Sequence, residues 1–298
     1  MKQIYMFLLL LCGLSACSTA SRKAEKEIIM VSIEPLRYFA EQIAGKHFSI
    51  VSMVPKGVSP ETYDPTPQQM VQTAQAVAFL RIGDTPFERM WADKIKRNMP
   101  DLPFFNLSDG IELIKNADLP QHHHHHGKEE ACQHGEVDPH IWLSIHQAEK
   151  IAQNIATALI AIDGKNEADY RANLQTLLDS IRQTKTQVDA YMQKADNSFL
   201  IYHPALTYFA QEYGVEQLSL EEDGKQPSPD RLRNLVEICG HMGSRILFLQ
   251  TEIDERNARV LEQELGFQVV PIDLLSYQWH ETMLKVARTL SHTKQTAE

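Results

Sequence analysis

Four side chains stand out because each can ligate a metal, and each follows a stretch that reads as a strand or lies in a loop between elements. They are Glu61 in Pro60-Glu61-Thr62-Tyr63-Asp64-Pro65, His140 in Asp138-Pro139-His140-Ile141-Trp142-Leu143, His203 in Tyr202-His203-Pro204-Ala205, and Asp273 in Pro271-Ile272-Asp273. Two neutral imidazoles and two carboxylates make a four-ligand shell suited to Zn2+ or Mn2+, and the anionic pair offsets the charge of the ion, which lowers the penalty of burying it. No short local motif joins the four. Taken singly, each has an ordinary structural alternative: a His or Asp at a strand end caps the next helix, and Glu61 is a solvated loop residue. A second group lies before His140, where His122, His123, His124, His125 and His126, then Cys132 and His134, stand among Lys128, Glu129, Glu130 and Glu136. Repeated imidazoles favour Zn, Cu and Ni over Mn. The bland alternatives for this stretch are an expression tag, which its internal position argues against, and a solvated low-complexity loop.

The elements that must position these side chains alternate between apolar β-branched runs and helical patterns, the signature of βα units and mainly parallel sheets. Strands are expected at 28–33, 48–53, 77–82 and 104–107, with helices near 35–44, 67–74 and 87–98. Between about 144 and 194 the pattern changes to two long amphipathic stretches, the second with Tyr170, Leu174, Leu177, Leu178, Ile181 and Val188 at helical spacing. Alternation resumes with strands at 199–202, 215–218, 246–250 and 269–272, and helices near 205–213, 229–241, 255–265 and 281–291. The chain is thus expected to be α/β, with an N-terminal lobe over 27–143, connecting helices over 144–196 and a C-terminal lobe over 197–298. Ligands of open parallel sheets sit beyond the carboxyl ends of the strands, so both lobes would contribute loops to a shared cleft.

The amino terminus adds a location. Lys2 is followed by an apolar run from Ile4 to Leu14 and then small residues, the pattern of a signal peptide over 1–16, too short and too early to span as a mature helix. It closes with Leu14-Ser15-Ala16-Cys17, which resembles the lipobox of bacterial lipoproteins, so Cys17 is expected to carry lipid and 17–26 to form a polar tether. Of four cysteines, Cys12 leaves with the signal and Cys17 is acylated; pairing of Cys132 with Cys239 stays open. Hydrophobic residues make up 43% and charged residues 23%, ordinary for a globular chain with a substantial core. Loss of Lys2 takes the formal net charge from −10 to −11, which argues against nucleic-acid binding and is compatible with a cationic cargo.

With these residues in hand, the segment Gly57-Val58-Ser59-Pro60-Glu61-Thr62-Tyr63-Asp64-Pro65-Thr66-Pro67 and the segment Asp138-Pro139-His140-Ile141-Trp142-Leu143 resemble the zinc and manganese solute-binding proteins of ABC transporters. Agreement continues through Tyr202-His203-Pro204-Ala205 with Tyr208-Phe209-Ala210, and ends at the run from Val269 to Asp273. The resemblance implies two α/β lobes, a rigid connecting helix, and one metal between the lobes held by one ligand from each of the four segments. It also implies delivery of the ion to a permease and ATPase complex by a monomeric carrier that is not an enzyme, lipid-anchored in the cell envelope. Two departures stand out: the family's first segment usually carries histidine where Glu61 stands, and often has Glu where Gln250 stands. Glu61 is expected to take the ligand's place; Gln250 is given no role. Two histidines and two carboxylates are the ligand types of manganese-specific members, whereas zinc-specific members often carry a histidine-rich acidic loop where 121–134 lies. The expectation is therefore zinc, with manganese or iron as the alternative.

Two readings from other classes compete. An envelope metallohydrolase would need an open coordination position and a general base, and no His-Glu-x-x-His helix, nucleophile elbow or phosphate loop appears. An adhesion or scaffolding lipoprotein would need no metal at all.

Overall fold

The computed structural model describes residues 26–115, 136–221, 227–228, 235, 245–253, 262–263 and 266–292. The expected signal peptide, the lipid-bearing Cys17, the histidine-rich stretch with His122 to His126 and His134, and most of the helices expected at 229–241 and 255–265 lie outside these residues.

Among the described residues, eight strands form two parallel sheets of four. Lobe one holds β1 (Ile28–Val31), β2 (Ser49–Ser52), β3 (Ala76–Arg81) and β4 (Phe104–Asn106) in the order β2-β1-β3-β4. Lobe two holds β5 (Ser198–Ile201), β6 (Glu216–Ser219), β7 (Ile246–Gln250) and β8 (Gln268–Ile272) in the order β6-β5-β7-β8. The second sheet thus repeats the plan of the first, and every pairing is parallel. Parallel strands covered on both faces read as continuous apolar runs, which is why Ile-Ile-Met-Val of β1 and Ile-Leu-Phe-Leu of β7 are legible as strands. Pro271 sits in β8, at the edge of its sheet, where a residue without an N–H is tolerated.

Helices α1 (Glu34–Ala44), α2 (Pro67–Ala74) and α3 (Pro86–Asn98) belong to lobe one. Proline in the first turn and capping boxes at Thr66/Gln69 and Thr85/Glu88 start α2 and α3, satisfying N–H groups that would otherwise be orphaned. Two connecting helices follow, α4 (Ile145–Ile162) and α5 (Glu167–Met192). The 26 residues of α5 extend about 39 Å at the usual helical rise. Of its buried side chains, Tyr170, Leu177, Ile181, Thr184 and Val188 follow one another at intervals of seven, four, three and four, with Leu178 beside them, and make one stripe. That stripe packs against α1, α4 and the C-terminal helix α7 (Trp279–His292).

Lobe two also contains α6 (Thr207–Tyr213), which begins two residues later than the pattern predicts. The Ala205 N–H turns back to the carbonyl of His203 (2.8 Å), and the Leu206 N–H is taken by Gln217 Oε1 (2.7 Å). A single apolar cluster runs from the lobe-one sheet through α4 and α5 to the inner face of the lobe-two sheet, while Leu200, Tyr202, Leu220, Leu247, Leu249 and Phe267 form a separate cluster on its outer face. The lobes are tied further by buried indoles: Trp142 Nε1–H donates to the Leu274 carbonyl (2.9 Å), and Trp279 Nε1–H donates to the Trp142 carbonyl (2.6 Å). Among the described residues no helix is long and apolar enough to cross a membrane.

Candidate metal centre

Loops at the carboxyl ends of both sheets converge on one place. From lobe one, the loop after β2 carries Glu61, whose N–H donates to Ser59 Oγ (3.2 Å). Around it, Gln69 Nε2 donates to the Met53 carbonyl (2.8 Å), the Tyr63 hydroxyl bonds Gln69 Oε1, and Trp91 Nε1 donates to Asp64 Oδ1 (2.9 Å). Glu61 itself is half-buried.

His140 is fixed by Asp138, two residues earlier. Asp138 Oδ1 accepts the His140 backbone N–H (2.8 Å) and lies 2.8 Å from His140 Nδ1. Burial pushes the Asp138 carboxyl up, but the charge of His140 and hydrogen bonds from His140 and Thr207 outweigh it and hold the group below the usual carboxylate range. His140 opens the buried 3-10 turn Ile141–Leu143, and its ring packs against that of Trp142, with centroids 5.2 Å apart.

His203 follows β5. Gln250, buried at the end of β7, holds its backbone from both sides: Gln250 Oε1 accepts the His203 N–H (3.2 Å) and Gln250 Nε2 donates to the His203 carbonyl (2.6 Å). The ring's Nδ1 lies 3.0 Å from Glu221 Oε2, in the loop after β6. Its Nε2 lies 3.4 Å from Glu61 Oε1 and 3.4 Å from His140 Nε2.

An ionised carboxylate can only accept, so Asp138 and Glu221 each place the proton of the neutral ring on Nδ1. Both Nε2 lone pairs then face each other across 3.4 Å, with Glu61 beside them. Such an arrangement calls for a cation. Without a metal the substitute is a proton: burial lowers the His203 pKa, but the Glu221 hydrogen bond and the charges of Glu61, Glu221 and Asp138 overcome it and raise the group to about 9. The distances also fit an ion. Two donors bonded at about 2.0–2.1 Å to a tetrahedral zinc stand about 3.3 Å apart.

Three of the four residues expected from sequence, Glu61, His140 and His203, are therefore brought together. Asp273 is not in direct contact with them. Its Oδ1 accepts the Leu275 N–H (3.1 Å), and burial raises its carboxyl, with Lys56, Glu34 and Lys285 as its charged neighbours. Asp273 lies close enough to Glu252 to raise that carboxyl further, on top of burial, while His203 opposes the rise.

Sequence reasoning missed Glu221, Glu252 and the role of Gln250, which it noticed only as a departure. Among the described residues, one atom each of Glu61, His203 and Glu221 forms a group within 4.8 Å, the spacing of a metal-ligand set. The signal that points to all three missed residues is their place just beyond β6, at the end of β7 and just beyond β7, the same sheet ends that carry the histidines.

Residues 29–292 match the family described as zinc-uptake complex component A, periplasmic. The iron ABC transporter substrate-binding lipoprotein MtsA of Streptococcus pyogenes is 27% identical over 280 residues, covering 89% of this chain and 84% of its own. The manganese ABC transporter substrate-binding lipoprotein PsaA of Streptococcus pneumoniae is 27% identical over 284 residues, covering 89% and 86%. Among solved structures, ZnuA superposes with a TM-score of 0.80 at 27% identity, over 90% of this chain and 99% of its own. A zinc-bound deletion mutant of ZnuA gives 0.79 at 28% identity, over 90% and 98%.

Proposed function

The chain belongs to the zinc-uptake complex component A family, the metal-binding substrate-binding proteins of ABC transporters, and on that premise we propose that it is a zinc-binding carrier lipoprotein. It is anchored through Cys17 outside the cytoplasm, acts as a monomer, and hands one zinc ion to a permease and ATPase complex. The observation that carries this reading is the pair of inward Nε2 atoms 3.4 Å apart, each with its Nδ1 held by a carboxylate and with Glu61 as the third donor. Histidine held through its other nitrogen by a carboxylate is the usual arrangement behind a metal-ligating imidazole. The 3.4 Å separation accommodates a tetrahedral zinc ion, and the repeated imidazoles at 122–126 favour zinc over manganese. Asp273 is the carboxylate proposed for the fourth position. His122, His123, His124, His125, His126 and His134 act as an auxiliary collector that raises the local zinc concentration. The protein binds and releases its cargo and catalyses nothing.

Manganese or iron is the second reading, supported by the two hard carboxylates Glu61 and Asp273 and by relatives named for those metals. Chelator competition with zinc and with manganese, on protein with residues 121–134 deleted, separates the two. The zinc reading predicts one tight zinc per chain, retained without the stretch, lost in His140→Ala and His203→Ala, and far tighter than manganese. A site that held manganese at least as tightly would establish the alternative. A tight site that vanished with the deletion would place the ligands in the stretch.

A further inference from the structure

The helix that follows His203 also reaches the segment that carries His140, at one point on each side of that residue. The Tyr208 hydroxyl on α6 accepts the Ile114 N–H (3.0 Å) and donates to the Asp138 carbonyl (2.8 Å). One turn further on, Glu212 Oε2 accepts from the Ser144 hydroxyl (2.8 Å) and from the Ile145 N–H (3.0 Å), at the start of α4. Residues four apart lie on one face of a helix. The two side chains thus straddle residues 138–145, with His140 between their footholds. At both of its ends α6 is fixed to its own lobe: the Leu206 N–H meets Gln217 Oε1 before the helix, and the Val215 N–H meets the Ala210 carbonyl (3.0 Å) after it.

We propose that Tyr208 and Glu212 are positioning residues of the metal site, a two-point clamp that sets the 3.4 Å separation of His140 Nε2 from His203 Nε2. The proposal rests on the metal-binding reading given above and deepens it. Neither side chain touches the ion. Tyr208 acts through Asp138, whose backbone it holds and whose carboxylate in turn holds His140 Nδ1. Glu212 acts through Ser144 and Ile145, at the far end of the buried turn that carries the His140 ring. The edge of a tetrahedral site has little tolerance, about 3.3 Å for zinc, so slack in this clamp is felt as lost affinity and altered geometry.

The test uses the full chain, one equivalent of metal, and three variants: Tyr208→Phe, Glu212→Ala and Glu212→Gln. Zinc affinity is read by competition with a strong chelator, and geometry by the visible absorption of cobalt(II) bound in place of zinc. Tyr208→Phe and Glu212→Ala are each expected to weaken zinc about tenfold, the low end of the range for groups bonded to the ligand itself because these act one bond further out, and to dim and shift the cobalt bands. Glu212→Gln, whose amide oxygen can accept the same bonds, is expected to retain most of the affinity. A lowered unfolding temperature with unchanged zinc affinity and an unchanged cobalt spectrum would make these residues merely structural and overturn the proposal. Should Tyr208→Phe fail to fold, the comparison of Glu212→Ala with Glu212→Gln carries the test alone. His140→Ala and His203→Ala serve as controls: tight zinc binding that survives them refutes the ligand assignment, whereas loss in the controls with wild-type behaviour in the clamp variants refutes only the clamp.

Discussion

On the zinc reading proposed above, an ion entering this site expels a proton from His203. Raised to about 9 in the metal-free protein, the ring is a cation at neutral pH, with one N–H toward Glu221 and the other toward Glu61. Compared with an unfolded reference of 6.5, this amounts to about 3 kcal/mol in favour of the protonated ring. Two opposite consequences follow. The proton stabilises the metal-free fold; that contribution is fully present below pH 6.5 and is lost as pH rises through about 9. Zinc affinity moves the other way, gaining about tenfold per pH unit below 9 because one proton leaves for each ion bound. Between pH 7.0 and pH 8.5 the gain is about 30-fold, or about 2 kcal/mol. Calorimetric titration in buffers of different ionisation enthalpy counts the proton, and chelator competition gives the affinity. Glu221→Gln keeps an acceptor for Nδ1 but removes a charge, so it is expected to lower the His203 pKa, flatten the slope and reduce the proton count. Zinc affinity that changed less than about twofold over that window, with no proton released, would refute the reasoning.

Replacing Glu61 by histidine exchanges a hard oxygen donor for an imidazole, and the zinc-to-manganese affinity ratio is expected to rise; an unchanged ratio would remove Glu61 from the ligand set. Gln250→Leu removes the side-chain partners of the half-buried His203 N–H and carbonyl, while the carbonyl keeps the Ala205 N–H, and is expected to destabilise the fold by about 1–3 kcal/mol, readable from the urea midpoint. His280 gives a second pH dependence, remote from the metal. Its Nδ1–H donates to Thr184 Oγ1 (2.6 Å), whose own proton goes to the Ser180 carbonyl, so Nε2 must accept from the Tyr38 hydroxyl (2.6 Å). Burial holds this ring's pKa below 6.5, with Glu281 opposing, so its contribution to stability is present above pH 6.5 and is lost as pH falls through the folded value, at up to about 1.4 kcal/mol per pH unit. His280→Gln is expected to unfold with a smaller difference between pH 7.5 and pH 5.5 than the parent.

The eight strands among the described residues were legible to within a residue or two. Runs such as Ile246 to Leu249 fill strands buried on both faces, and Pro67, Pro86 and the capping threonines mark where helices begin. The long helix was legible from Tyr170, Leu177, Ile181 and Val188, because a single buried stripe leaves a clear period. Glu61, His140 and His203 were legible as ligand types at sheet ends. Glu221 was not, because it opens the acidic run Glu221-Glu222-Asp223, which reads like any solvated loop. Gln250 was noticed only as a departure; what its side chain grips depends on β5 and β7 being neighbours, which no local pattern reveals. The same holds for Tyr208 and Glu212, whose partners lie from 67 to 94 residues away in the chain.

The claim that one zinc ion sits between His140 and His203 is tested most directly by zinc K-edge X-ray absorption on protein lacking residues 121–134 and loaded with one equivalent of metal. A four-coordinate shell of nitrogen and oxygen at about 2.0 Å is expected, with the multiple-scattering signature of two imidazoles, reduced to one in His140→Ala. A six-coordinate oxygen shell without imidazole, or a signature of two imidazoles that persisted in His140→Ala, would contradict it.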